Sequence, residues 1–186
     1  MLYRGDGVPQ NYADAAKWFS MIAGLDFKQV QRLDDKPVVT MYDQLMLAYG
    51  NHSYKWETDK YDPDNLRIAS AQYHLGFMYW HGLGVSQDYG ESVNWLRRSA
   101  EFGHEEAEYL LGMAYSSGQG IGQDHAEAVK WFRKAAEQGN ADAQNSLGDV
   151  YSSGQGIGQD YAEAAKWYRK AAEQGMKWKR QYSSQN

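Results

Sequence analysis

Apolar residues in this chain return at a fixed interval. Leu75-Gly76 recurs as Leu111-Gly112 and Leu147-Gly148, Tyr79 as Tyr115 and Tyr151, Trp95 as Trp131 and Trp167, and Gly103 as Gly139 and Gly175, each step being 36 residues. The blocks 116–139 and 152–175 are nearly identical. Such a period marks a repeat architecture. Within one unit the pattern predicts two helices. In the first, over roughly 143–152, Ala143, Leu147 and Tyr151 form one apolar stripe at i, i+4, i+8. Gly148 lowers helix propensity there and predicts the close approach of a neighbouring helix. The run Gly154-Gln155-Gly156-Ile157-Gly158 then ends the helix and turns the chain. Asp160 with Glu163 three residues on is a capping-box pattern with Asp as the cap, repeated by Asp124/Glu127 and Asp88/Glu91. The second helix carries Ala164, Trp167 and Ala171 on one stripe, with Ala165, Tyr168 and Ala172 beside it, and is expected to stop at Gly175. Large Trp beside small Ala lets a ring from one helix sit where its partner is thin.

Two short helices cannot bury both of these faces alone, whereas stacked neighbours can. The expected fold is therefore an all-α solenoid of helix-turn-helix repeats. At this point the residues resemble a known family. The pattern Ala-x3-Leu-Gly-x2-Tyr-x2-Gly-x-Gly, then Asp-x3-Ala or Ser, then Trp-x3-Ala-Ala and a closing Gly, is similar to the Sel-one-like repeat, a relative of tetratricopeptide arrays with a longer loop in each unit. Three copies span 71–175, and a half copy at the start carries Gly5, Gly7, Val8, Asn11, Ala15, Lys17, Trp18 and Phe19. The resemblance implies a right-handed superhelix of helix pairs that serves as an adaptor or scaffold, mostly in bacteria. It implies no catalytic residues.

The pattern breaks in three places. Met1 and Leu2 stand where a first helix should already be ending, so missing upstream sequence is expected. Trp18 to Trp95 is 77 residues, five more than two units. Leu45 and Tyr49 read as worn equivalents of Leu75 and Tyr79 on a helix over roughly 38–49, with a link over 26–36 before it and a polar, aromatic loop over 51–64 after it. After Gly175 the basic run Met176-Lys177-Trp178-Lys179-Arg180 leaves the repeat and reads as a cap on the last unit. The organisation expected is one domain: a partial repeat over 1–23, a degenerate one over 24–70, full repeats over 71–106, 107–142 and 143–175, and a cap or tail over 176–186.

Composition narrows the function. Seven Trp and fifteen Tyr are many for 186 residues and match the repeated core and interface positions. The formal charge of −5 supplies no basic field for phosphate backbones, so no nucleic-acid partner is expected. The absence of cysteine excludes disulfides, thiolate metal sites and cysteine nucleophiles, but leaves the compartment open. No apolar run has the length of a membrane span, so no direct membrane insertion is expected. The start lacks a signal-peptide pattern, although an upstream part would have carried one. No cofactor and no metal are expected: the five histidines His52, His74, His81, His104 and His125 form no ligand spacing, and His104 and His125, at helix ends, are expected at the surface. Glycine triples such as Gly118-x-Gly120-x-Gly122 follow a helix and recur, so they read as turns, unlike phosphate loops.

One constellation stands out. Opposite the core stripe Ala71, Leu75, Met78 and Tyr79, the helix over 70–81 carries Tyr73, Phe77 and Trp80 at i, i+4, i+7, with His81 alongside. The next unit places Tyr109 and Met113 there, and the last places Asn145 and Asp149. By resemblance to tetratricopeptide arrays this face lines the concave groove, which would run from aromatic to polar and suit an apolar peptide or helix. The alternative is that residues 24–70 fold back over the rings. Two functions follow: a scaffold or adaptor holding a protein partner, or an inhibitor or immunity-type protein that neutralises a bacterial effector enzyme. No feature assembles an active site. The unfinished first unit also offers apolar surface on which a second copy could pair.

Overall fold

The computed structural model describes residues 12–24 and 63–183. They form seven helices: α1 (Tyr12–Ala23), α2 (Pro63–His81), α3 (Tyr89–Glu101), α4 (Glu105–Ser117), α5 (His125–Gln138), α6 (Ala141–Ser153) and α7 (Tyr161–Ser183). There is no strand among the described residues. The expected helix over 38–49, the link before it and the first residues of the partial unit lie outside them. So does the expected loop, except for its last two residues: Pro63 and Asp64 open α2, with proline at the first helical position, where its missing N–H costs nothing.

The second helices start as their sequences predict. Asp88, Asp124 and Asp160 each accept a hydrogen bond from the backbone N–H three residues on, at 3.0, 3.0 and 2.9 Å. The glutamates of the pattern do not reach back to complete a box. Glu127 and Glu163 instead accept from Lys130 and Lys166, each at 2.7 Å, because a lysine one turn on competes for the carboxylate. Between the helices of a unit a glutamine braces the loop: the side-chain amides of Gln87, Gln123 and Gln159 donate to the carbonyls of Trp80, Ser116 and Ser152 at 2.8, 2.9 and 2.7 Å.

Each helix packs on its neighbours in sequence, which builds an α/α solenoid. The core forms at the junction between units. Val93, Leu96 and Ala100 of α3 meet Ala107, Leu111 and Ala114 of α4. Val129, Phe132 and Ala136 of α5 meet Ala143, Leu147 and Val150 of α6 in the same register. So do Ala16, Phe19 and Ala23 of α1 with Ala71, Leu75 and Met78 of α2, although 48 positions separate Ala23 from Ala71 where seven separate Ala100 from Ala107. Within each unit the repeated Leu-Gly pair admits a ring or a branched chain from the second helix. A Cβ on Gly76 would lie 2.8 Å from Leu96, and one on Gly112 or Gly148 would lie 2.5 Å from the ring of Phe132 or Tyr168. The tryptophans close the core from the outside, each under a cation one turn on: Arg98 over Trp95, Lys134 over Trp131 and Lys170 over Trp167, at 4.8, 4.1 and 4.0 Å from the ring centre.

One junction position is polar. Gln72 and Gln144, buried on α2 and α6, donate across the junction to the carbonyls of Ala23 and Ala136 at 3.4 and 3.0 Å. Glu108 holds the same place on α4, where its carboxylate accepts from Gln138 at 2.6 Å. Burial raises its pKa, opposed by the Gln138 hydrogen bond and by Lys134. A raised carboxyl adds stability only below its ordinary value of 4.5, and that contribution is lost as pH rises through the folded value. Glu108→Gln is therefore expected to stabilise the chain at pH 7.5 by about 1 kcal/mol and to make no difference at pH 4. Thermal melts of both proteins at the two pH values check this; a lower midpoint for the variant at pH 7.5 would contradict it.

The last helix does not stop where the sequence suggests. α3 and α5 give way to Gly103 and Gly139 in the left-handed region, at φ +78° and +113°, and the chain turns into the next unit. Gly175 instead lies within α7, which runs on to Ser183. Asn140 follows Gly139 and caps the next helix, its side chain accepting from the N–H of Ala143 at 2.9 Å. Met176-Lys177-Trp178-Lys179-Arg180 offers no such cap and consists largely of residues that favour a helix.

Candidate partner-binding face

The eight residues of the candidate row lie on α2, α4 and α6, and the structure divides them. Tyr73 and Trp80 are half-buried and pack against the α3–α4 core. Tyr109 is half-buried against the α5–α6 core, its ring centre 6.0 Å from that of Phe132. These three are anchored from within the stack. Phe77 is half-buried too, but its ring contacts lie along its own helix, with His81 at 4.3 Å and Tyr73 at 6.1 Å. His81, Asn145 and Asp149 are exposed, and Met113 keeps 37% of its surface. Asp149 accepts a hydrogen bond from the hydroxyl of Tyr168 at 2.6 Å, which ties the polar end of the row to α7. The row therefore presents Phe77, His81, Met113 and Asn145 outward, on a base of rings that belong to the fold.

Two histidines depart from what their places in the sequence suggest. A helix-end position predicts His104 at the surface, yet it is buried with 8% exposure. The ring of Tyr73 stacks on it at 4.7 Å, a cover from another unit that a one-dimensional pattern does not display. His104 stands at the N-cap of α4, where its side chain makes no capping hydrogen bond. Its Nδ1 lies 3.2 Å from a carboxylate oxygen of Glu106. His125, for which the same surface position is expected, is half-buried. His74 is stacked on Phe19 of α1 at 4.9 Å. Its pKa falls to about 3 through burial first and then the repulsion of His104, with Glu106 pulling the other way. Glu105 is pushed up to about 7 by burial and by the charges of Glu106 and Glu108. Burial and Glu106 also raise the Tyr73 hydroxyl.

Among the described residues no three His, Asp or Glu side chains are placed to hold a metal ion. None of the described helices is long and apolar enough to cross a membrane. What the row can do is recognise: rings and a thioether at one end suit apolar side chains, and amide and carboxylate at the other suit hydrogen-bond donors.

Comparison with known proteins agrees with this architecture. A family model described as the Sel1 repeat matches residues 1–26, 69–104, 105–140 and 141–176. The last two stretches start at the first residues of α4 and α6. A Sel1 repeat protein of known crystal structure from Oxalobacter formigenes is 37% identical, over 73% of this chain and 49% of its own, with a TM-score of 0.56. The protein c5321, a protective antigen present in uropathogenic Escherichia coli strains and displaying an SLR fold, is 36% identical over 82% of this chain and 34% of its own, with a TM-score of 0.62. The chain thus spans about half and about a third of the length of these two relatives. No curated protein matches it.

Proposed function

The chain belongs to the Sel1 repeat family, and from that premise we infer that it is a non-catalytic scaffold that holds a protein partner along the row from Phe77 to Asn145. Proteins of this fold are commonly protein–protein interaction scaffolds. One observation carries the assignment of the face. The junction positions keep one chemistry from unit to unit, as in Ala71, Ala107 and Ala143 or Leu75, Leu111 and Leu147, and are buried in each. The outward positions change. Tyr73, Tyr109 and Asn145 correspond, as do Phe77, Met113 and Asp149, and their exposure rises along the array. Positions that vary in chemistry and stay open to solvent are where a repeat protein distinguishes its partners. The partner is an apolar peptide or helix seated on Phe77 and Met113, with its polar end toward Asn145.

Because Tyr73 and Trp80 pack against the core, replacing them would disturb folding together with binding. Phe77→Ser with Met113→Ser leaves those anchors in place. A partner captured by the intact chain is expected to bind the double variant at least about tenfold more weakly, with the helical circular dichroism unchanged. Undiminished capture by a folded double variant would remove the row from consideration. The captured partner also separates adaptor from inhibitor: an enzyme whose activity survives in the complex indicates an adaptor, and one whose activity is abolished indicates an inhibitor.

A further inference from the structure

The outer faces of the three second helices can be compared position by position. On α3, Val93, Leu96 and Ala100 are buried beneath α4, and on α5, Val129, Phe132 and Ala136 are buried beneath α6. The same positions on α7 are Ala165, Tyr168 and Ala172, and all three are exposed, Tyr168 by 39%. The starts of the helices repeat the contrast. Gly120 rests on the backbone of Tyr89, at the start of α3, and Gly156 rests on that of His125, at the start of α5. Tyr89 and His125 are half-buried, whereas Tyr161, their counterpart on α7, is 68% exposed. One stripe of α7 therefore presents Tyr161, Ala165, Tyr168 and Ala172 at i, i+4, i+7 and i+11. The two filled junctions show what shape fits it, since each covers small or branched, large, then small residues with a helix lying antiparallel across a short turn.

We propose that this face of α7 is a second docking site, taking a helix from a partner protein whose stripe reads small, Leu, small at i, i+4, i+7. That is the chemistry of Ala107, Leu111 and Ala114 on α4 and of Ala143, Leu147 and Val150 on α6, the residues that fill the two preceding junctions. A mismatched helix would leave a gap over Ala165 or strike Tyr168, because contacts packed to interior density tolerate neither. The site is distinct from the row on α2, α4 and α6 and extends the stack at its open end.

A synthetic peptide of residues 140–159, a copy of α6 with its Asn140 cap and loop, serves as probe. It is held helical by a hydrocarbon bridge between positions 145 and 149, which do not face the junction. Fluorescence anisotropy is expected to show saturable binding to the intact chain, with a dissociation constant on the order of 10 μM. Ala165→Arg in the chain and Leu147→Lys in the peptide should each weaken it at least about tenfold. Ala165 is exposed, so the variant keeps its melting temperature and its loss of binding is local. Binding unaffected by Ala165→Arg would place the peptide elsewhere and overturn the proposal, as would no saturable binding at all. Sedimentation of the chain alone provides the last arm: a dimer that Ala165→Arg dissociates would show that a second copy takes the face instead.

Discussion

Alanine at Gly120 or at Gly156 is expected to lower the stability of the chain by about 3 kcal/mol, a large loss for the addition of one carbon. Two costs add. Both glycines lie in the left-handed region, at φ +72° and +74°, where a Cβ meets the following carbonyl and costs roughly 1 kcal/mol. Both also touch the preceding unit: a Cβ would fall on the carbonyl of Tyr89 or of His125, at the start of a helix whose backbone cannot yield without breaking its first turn. Overpacking against such a wall costs a further 1–3 kcal/mol or so. The same loops carry their own control. Gly122 and Gly158 have nothing within 4 Å of an added Cβ and are not at positive φ, so alanine there should change stability by less than about 0.5 kcal/mol. Denaturant unfolding of the four single variants checks this. Equal losses at Gly156 and Gly158 would show that the loops do not lock neighbouring units together.

Acid is expected to unfold the chain through His74. This imidazole is packed between Phe19 of α1 and Tyr73, and its Nε2 is buried without a hydrogen-bond partner. Its pKa is lowered to about 3, and the charged groups that face it are His104, which lowers it further, and Glu106, which opposes. The folded state therefore binds the proton more weakly than the unfolded state, whose histidine titrates near 6.5. Stability is fully present above that value. It falls as pH drops below it, by on the order of 1 kcal/mol for each pH unit, until the folded histidine itself titrates. Glu105 acts in the opposite sense. Raised to about 7, it adds stability as pH falls from 7 toward its ordinary 4.5 and nothing more below. The two offset each other over that interval, and below about pH 4.5 only the histidine loss continues. The melting temperature should thus be nearly level from about pH 7 to 5 and fall steeply below. His74→Leu, which places there the residue found at position 110, should keep most of the stability at pH 4. A variant that loses as much between pH 5 and 4 as the parent would show that other groups drive acid unfolding.

The fold is legible in the sequence because it is written several times. Leu-Gly pairs, Trp-x3-Ala-Ala runs and Asp caps at a fixed period specify helix type, partner and register together, and a chance match at one copy is corrected by the others. What needs coordinates is anything decided between units. The burial of His104 depends on Tyr73, thirty-one positions away, and its polar ring at a helix end suggests solvent until that cover is seen. The loop-bracing glutamines are equally periodic, but an amide carries no hydrophobic signal to mark its role. Helix ends escape the sequence where a rule meets a missing companion: Gly175 has the residue of a helix stop without a following cap, so α7 continues. The candidate row is readable as a set of eight residues. Its division into anchored rings and outward side chains is not, because Tyr73, Trp80 and Tyr109 take their partners from the neighbouring unit.

The most direct test of the scaffold reading is to place a photoreactive benzophenone side chain at Met113, and in a parallel variant at Lys130, and to irradiate each in lysate of the host. Met113 is exposed on the outward row, and Lys130 is exposed on α5, on the second helix of its unit. The scaffold reading predicts that position 113 captures a discrete protein that position 130 does not, and that Phe77→Ser abolishes the capture. Capture from position 130 alone, or equal labelling from both, would place the partner elsewhere on the solenoid and contradict the assignment of the row.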